Sequence, residues 1–318
     1  MSRIKFWMLS IFVVSLLITS CGKSTDETVM LVDFLESVDS PINTTKIAEY
    51  IVAKDLQPLL ATNAAYVIDI RDQTTFDAGH IKGAVRIDEK SVISHLDGMD
   101  VSGYDKVVIV CKTGQTAAFV SSLARLADYD AYSLKWGMSS WNEATDELTT
   151  ASKNTYATEM VTEETAKGDE GSLPALSTGY ETAQEILDAR IAEVAAIGFG
   201  ESAITADKVF DKPGNYYIVN FWKYDHYKLN HIPGAVQYTP YDDVQSGAGL
   251  ETLPTDKTIV VYCYTGQTSS YMTAYLKVLG YDALSLKFGV NGFATDWLTD
   301  NALTHWSAED YIAGYPLD

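Results

Sequence analysis

Val107-Val108-Ile109-Val110-Cys111-Lys112-Thr113-Gly114-Gln115-Thr116 carries an unbroken apolar run into a cysteine and then into a glycine-bearing loop. The run has the character of a parallel strand covered on both faces, since a half-exposed strand would alternate. Beyond the loop, Ala118, Phe119, Ser122, Leu123 and Leu126 recur at three- and four-residue spacing and predict a helix over 116–127. A cysteine between such a strand and such a helix meets inward-pointing N–H groups and the positive end of a helix dipole. That setting stabilises a thiolate.

The same phrase returns as Cys263-Tyr264-Thr265-Gly266-Gln267-Thr268, 152 positions on, again after an apolar run, Ile259 to Tyr262. His80-Ile81-Lys82-Gly83-Ala84-Val85 recurs as His231-Ile232-Pro233-Gly234-Ala235-Val236, and Leu134-Lys135-Trp136-Gly137 as Leu286-Lys287-Phe288-Gly289. Three blocks held at nearly one offset mark an internal duplication. Each copy reads strand, loop, strand, loop, helix, strand. The predicted strands are 66–70, 107–110 and 132–134 in the first copy and 216–219, 259–262 and 283–286 in the second, where 269–279 is the helix. The alternation predicts an α/β fold of two domains, each a small parallel sheet flanked by helices, with functional loops at the carboxyl ends of the strands. Thr182 to Ala196 predicts a further amphipathic helix docking between the domains.

The 318 residues suffice for two cores, and the boundaries are set at 45–145 for the first domain and 179–318 for the second. Residues 146–178, rich in Thr, Glu, Ala, Ser and Gly, read as a linker. A balance of 23 Lys+Arg against 43 Asp+Glu gives a net charge of -20, which repels nucleic acid and excludes binding it through a basic surface. Five histidines without close Cys/His spacing offer no metal site, and nothing in the sequence calls for a cofactor.

Residues 1–20 have a positive start, Arg3 and Lys5, and an apolar stretch too short to span a bilayer comfortably. Their end together with the next residue, Leu17-Ile18-Thr19-Ser20-Cys21, resembles the lipobox of bacterial lipoproteins. That resemblance implies a removed signal peptide, a lipid on Cys21, a polar tether over 21–44, and a membrane-anchored protein on the periplasmic or other extracytoplasmic side. An ordinary cleaved secretory signal is the competing reading. Exported cysteines by default form disulfides, yet Cys111 and Cys263 each end their own repeat's strand, which disfavours a bridge.

Together with Asp69-Ile70-Arg71 and Gly79-His80-Ile81, these blocks give the chain its resemblance to the tandem rhodaneses, sulfurtransferases with two rhodanese-like domains. The resemblance covers nearly all of 45–141 and 201–300. It implies Cys111 and Cys263 as catalytic nucleophiles, with Lys112, Thr113, Gly114, Gln115 and Thr116, and Tyr264, Thr265, Gly266, Gln267 and Thr268, as substrate-binding loops. The residues themselves agree: amides of 112–116 can converge on the Cys111 sulfur, Gly114 permits the turn, and the Thr113 and Thr116 hydroxyls add donors. The implied partners are a small anionic sulfur donor such as thiosulfate and a thiol or cyanide acceptor, joined through a cysteine persulfide. A persulfide carrier or binding module without turnover is the alternative. Phosphatases and arsenate reductases of the same fold have a longer loop closed by an arginine; this six-residue loop has none.

The copies differ. Lys112 and Lys82 offer cations to an anionic donor, where the second copy has Tyr264 and Pro233. Asn220-Phe221-Trp222 replaces Asp69-Ile70-Arg71, whose pair reads as structural support. His80 and His231 read as loop-fixing groups that bond backbone. These differences predict that Cys111 takes thiosulfate-like anions and that Cys263 takes a different donor or a persulfide.

Overall fold

The computed structural model describes residues 26–37 and 49–318, so the leader, Cys21 and half of the tether fall outside the described residues. One all-parallel sheet contains β1 (Tyr50–Ile51), β2 (Ala65–Asp69), β3 (Val85–Arg86), β4 (Lys106–Val110) and β5 (Ala131–Leu134), in the order β1-β5-β4-β2-β3. The second contains β6 (Ala203–Ile204), β7 (Tyr217–Phe221), β8 (Val236–Tyr238), β9 (Ile259–Tyr262) and β10 (Ala283–Leu286), in the equivalent order β6-β10-β9-β7-β8. Residues Val107 to Val110 and Ile259 to Tyr262 are all buried, because helices cover both faces of each sheet. That is why both strands read as continuous apolar runs. Cys111 and Cys263 follow the middle strand of their sheets, and each opens the loop leading into a helix.

Five longer helices organise the rest: α1 (Glu27–Glu36), α2 (Ala53–Ala61), α3 (Gln115–Leu126), α4 (Ala183–Ile197) and α5 (Gln267–Val278). Helices α3 and α5 are buried on nearly every side, which only happens when a helix lies between two bodies. They pack on each other across the domain boundary, and α4 packs on both, as expected of a docking helix. Small residues make the close approach possible: Ala118, Ser121 and Ser122 on one side, Ser270, Thr273 and Ala274 on the other, all fully buried.

Two hydrogen bonds lock this interface reciprocally. Gln115 Oε1 accepts the Phe288 N–H at 2.6 Å, and Gln267 Oε1 accepts the Trp136 N–H at 3.0 Å. Trp136 and Phe288 have φ of 67° and 64°, a left-handed turn that aims each N–H out of its own domain. Both glutamines, read from sequence as substrate-binding, are buried and bond to the opposite domain, and Gln115 also lines the cavity over Cys111.

Two further expectations require correction. The stretch read as tether includes α1, capped by Asp26 and docked through Leu31, Val32 and Leu35. Its Glu27 carboxylate accepts N–H groups from Thr178 at 2.6 Å and Gly179 at 3.0 Å. The polar residues on either side concealed a mostly apolar helix whose buried positions fall at three- and four-residue spacing. The stretch 146–178 is likewise a strap rather than a free linker. It is held by main-chain bonds such as Lys153 N to Asn291 O at 3.1 Å, Val161 N to His231 O at 2.9 Å, and Gly171 N to Glu251 O at 2.8 Å. Backbone pairing holds it where apolar side chains are few. The carboxyl end crosses in the other sense, with Tyr315 N donating to Trp141 O and Asp318 N to His80 O, both at 2.9 Å.

Removing either glutamine carbonyl leaves a buried N–H without its acceptor, at a cost of about 1–3 kcal/mol. Gln115→Ala and Gln267→Ala are each expected to lose that much stability in urea unfolding, and the double variant to separate the two domains' transitions. Wild-type midpoints in all three variants would remove the lock from the account.

Candidate active site

Burial and main-chain geometry define the first sulfur. Cys111 is 5% exposed, and its Sγ accepts the Gly114 N–H at 3.1 Å and the Ala117 N–H at 3.3 Å. Gly114 sits at φ 87°, which turns its amide onto the sulfur at little steric cost. The second site repeats this: Cys263 Sγ accepts from Gly266 N at 3.2 Å and Ser269 N at 3.4 Å. The sequence reading confined the donors to 112–116. Ala117 and Ser269 lie one residue beyond the loop, on the first turn of a helix, where free N–H groups are expected. The Thr113 hydroxyl does not serve the sulfur; it accepts from Gln115 Nε2 at 3.2 Å.

The surroundings oppose ionisation of the first thiol. Burial pushes the Cys111 thiol above its ordinary value, against the pull of the Ala117, Thr113 and Gly114 amides, and the Asp69 carboxylate adds to the rise. Asp69 forms a buried bidentate pair with Arg71, whose Nη2 lies 2.7 Å from Asp69 Oδ2 and 2.8 Å from Gly79 O. Arg71 therefore ties the end of β2 to the loop ahead of His80. The second domain fills that place with neutral groups: Asn220 Nδ2 donates to Tyr262 Oη at 2.7 Å, and Trp222 stacks on Tyr264 at 4.7 Å.

The cavity over Cys111, about 370 Å³, is walled by both domains: Arg71, Asp72, Glu89, Lys112, Thr113, Thr116 and Glu147 from one side, and Phe199, Gly200, Lys287 and Phe288 from the other. Lys112 does line it, but its Nζ is 3.0 Å from Glu147 Oε1, in a half-exposed pair. Lys82 is exposed and outside the lining. The Cys263 cavity, about 400 Å³, has aromatic walls from Phe221, Trp222, Tyr241 and Tyr264, with Thr268, Lys223 and His226 also reaching it. His226 Nδ1 lies 2.5 Å from Tyr264 Oη, and burial holds that phenol well above its ordinary value. Thr265 and Gly266 shape this loop from within.

Both histidines of the repeated block bond backbone. His80 Nδ1 lies 3.0 Å from Phe76 O, with its ring stacked on Phe76, and His231 bridges Tyr227 O and Glu163 O at 2.8 Å each. Neither lines a sulfur cavity. Sequence reasoning missed the residues that cross the boundary. Lys287 was visible in the repeated Leu286-Lys287-Phe288-Gly289 block, but nothing in that block indicates which cysteine it faces. Among the described residues no group of acids, cysteines and histidines could hold a metal.

A family model for the rhodanese-like domain matches residues 52–144 and again 206–296. A thiosulfate sulfurtransferase of Pseudomonas fluorescens is 32% identical over 83 residues, covering 26% of this chain and 74% of its own length. A tRNA sulfurtransferase of Desulfurococcus amylolyticus is 31% identical over 85 residues, 27% of this chain, and the match spans only 16% of that relative. A solved thiosulfate sulfurtransferase from Pseudomonas aeruginosa covers 91% of this chain and 70% of its own, at 13% identity and a TM-score of 0.32. With both domains matched over more than half of its length, the chain belongs to the rhodanese-like domain family as a tandem member.

Proposed function

We propose that the protein is a sulfurtransferase that moves sulfane sulfur from a thiosulfate-like donor to a thiophilic acceptor through a persulfide on Cys111. The observation that carries this reading is the Cys111 sulfur itself. It receives two main-chain N–H groups and stands at the floor of a cavity large enough for a small oxyanion. In the reaction the thiolate attacks the outer sulfur of thiosulfate, that sulfur's bond to the sulfite group breaks, and sulfite leaves with the electron pair. Cyanide or a thiolate then attacks the outer sulfur of the persulfide and regenerates the Cys111 thiolate. The amides that oppose desolvation of the thiolate also serve the persulfide anion, which is intrinsically easier to form. Cys263, in its aromatic cavity, accepts an organic or protein-borne persulfide on this reading. The protein is further proposed to be held at the outer face of a membrane by a lipid on Cys21.

Cys111→Ser is expected to remove most thiosulfate-to-cyanide turnover, whereas Cys263→Ser retains most of it; the reverse pattern would refute the assignment. Mass spectrometry that finds Cys111 loaded by thiosulfate, with negligible cyanide turnover, would mark a carrier instead. Because the Cys111 thiol is raised, only a minor thiolate fraction exists at neutral pH, and that fraction grows as pH rises. The loading rate is therefore expected to climb roughly tenfold per unit from pH 7 into the alkaline range. A rate already flat at pH 7 would contradict the burial argument. In bacteria supplied with labelled palmitate, the full chain is expected to incorporate label and Cys21→Ala to lose it. Equal labelling of both would sink the anchor.

A further inference from the structure

We infer that Lys287, a residue of the second domain, is the group that binds the anionic donor in the Cys111 site and sets its preference for dianionic sulfur compounds. The inference deepens the reading of Cys111 as the thiosulfate-accepting nucleophile and rests on it.

Placement comes first. Lys287 lines the cavity over Cys111, and its backbone is pinned on both sides. Its own N–H donates to Ile204 O at 2.8 Å, and the next N–H, of Phe288, donates to Gln115 Oε1 at 2.6 Å. Gln115 begins the helix whose first-turn amide, that of Ala117, faces the sulfur. The lysine is therefore carried to the site by the interdomain lock.

The charges of the lining leave Lys287 free. Arg71 is bound by Asp69 and Lys112 by Glu147. Asp72 accepts from the Thr75 N–H at 3.0 Å and the Thr75 hydroxyl at 2.6 Å, and Glu89 accepts the Phe199 N–H at 2.5 Å. Among the described residues, Lys287 is the one charged lining group whose side chain has no such partner. Its cavity has three carboxylates in the wall and belongs to a protein of net charge -20. A dianion entering there needs a cation not already neutralised, and a half-buried ammonium is screened less than a surface one.

Duplication supplies the contrast. The counterpart of Lys287 is Lys135, whose Nζ lies over the rings of Tyr50, Trp136 and Tyr311 at 4.8, 5.5 and 5.8 Å. Lys135 is absent from the lining of the Cys263 cavity, whose lysine, Lys223, comes from its own domain and is exposed. The same repeated position thus lines the cavity over the opposite domain's cysteine, and a neighbouring cavity beside Glu201 and Lys208, in one half and meets an aromatic cage in the other.

The test uses the full chain with Cys263→Ser, measuring persulfide formation at Cys111 by intact mass against thiosulfate concentration. Lys287→Met is expected to raise the half-saturating thiosulfate concentration roughly 5- to 20-fold, with the maximal rate within about twofold. Lys287→Arg should recover most of the loss, and Lys135→Met should behave as the parent. Alkylation of Cys111 by neutral iodoacetamide should be unchanged in Lys287→Met, showing that the pocket is intact. Unchanged half-saturation in Lys287→Met overturns the inference, as does an equal loss in Lys135→Met. If the Lys287-containing parent is not loaded by thiosulfate at all, the Cys111 reading itself fails and takes the inference with it. That outcome is distinct from loading that ignores Lys287.

Discussion

The reciprocal hydrogen bonds of Gln115 Oε1 to Phe288 N and Gln267 Oε1 to Trp136 N hold the two halves in their working arrangement. Each joins the first residue of one domain's cysteine helix to a left-handed turn of the other. A buried N–H must find an acceptor, and here the acceptor belongs to the neighbour. Each domain therefore supplies the acceptor for a main-chain N–H beside the other's cysteine loop. The close packing of α3 on α5, the cavity shared over Cys111 and the reach of Lys287 all follow from that pairing. Glycine at 114 and 266 is part of the same constraint, since an added Cβ would lie 2.6 Å and 2.5 Å from the partner glutamine oxygen.

A duplicated fold has produced two chemically different pockets. Where the first domain buries an ionic pair, Asp69 with Arg71, the second buries a neutral pair, Asn220 with Tyr262. The ionic pair is fully bonded, whereas the neutral pair leaves Asn220 Oδ1 buried without a partner but avoids desolvating two charges. The replacement also brings Trp222 onto Tyr264, so the wall that is charged over Cys111 becomes aromatic over Cys263. Removing one member of the Asp69–Arg71 pair would strand a buried charge, so the two solutions do not interconvert by a single substitution.

The Cys111 sulfur is held between opposing effects. Loss of water and the nearby Asp69 favour the neutral thiol, while three amides favour the anion, and burial has the larger influence. A dry, amide-lined floor suits a sulfur that is charged only while it reacts. It also keeps an idle thiol protonated, and the thiolate is the form that oxidants attack.

Most of the fold could be read along the chain. Paired apolar runs, the helix periodicity after each cysteine and the near-constant offset of three blocks specify two parallel α/β domains and the place of a cysteine in each, because these signals have a fixed period. Residues 27–36 escaped because a short apolar helix sits inside a polar stretch and docks on distant core residues, and 146–178 because its order comes from main-chain bonds to distant partners such as Asn291 and His231. That the loop glutamines bond across to the opposing domain is not visible in the loop itself, and a lysine in a repeated block has no stated destination. The sequence by itself determined the strands, the helices and the position of each sulfur within its own repeat. Which groups surround that sulfur was decided only by tertiary structure, because the contacts that choose between Lys287 and Lys135 cross a domain boundary that no local pattern encodes.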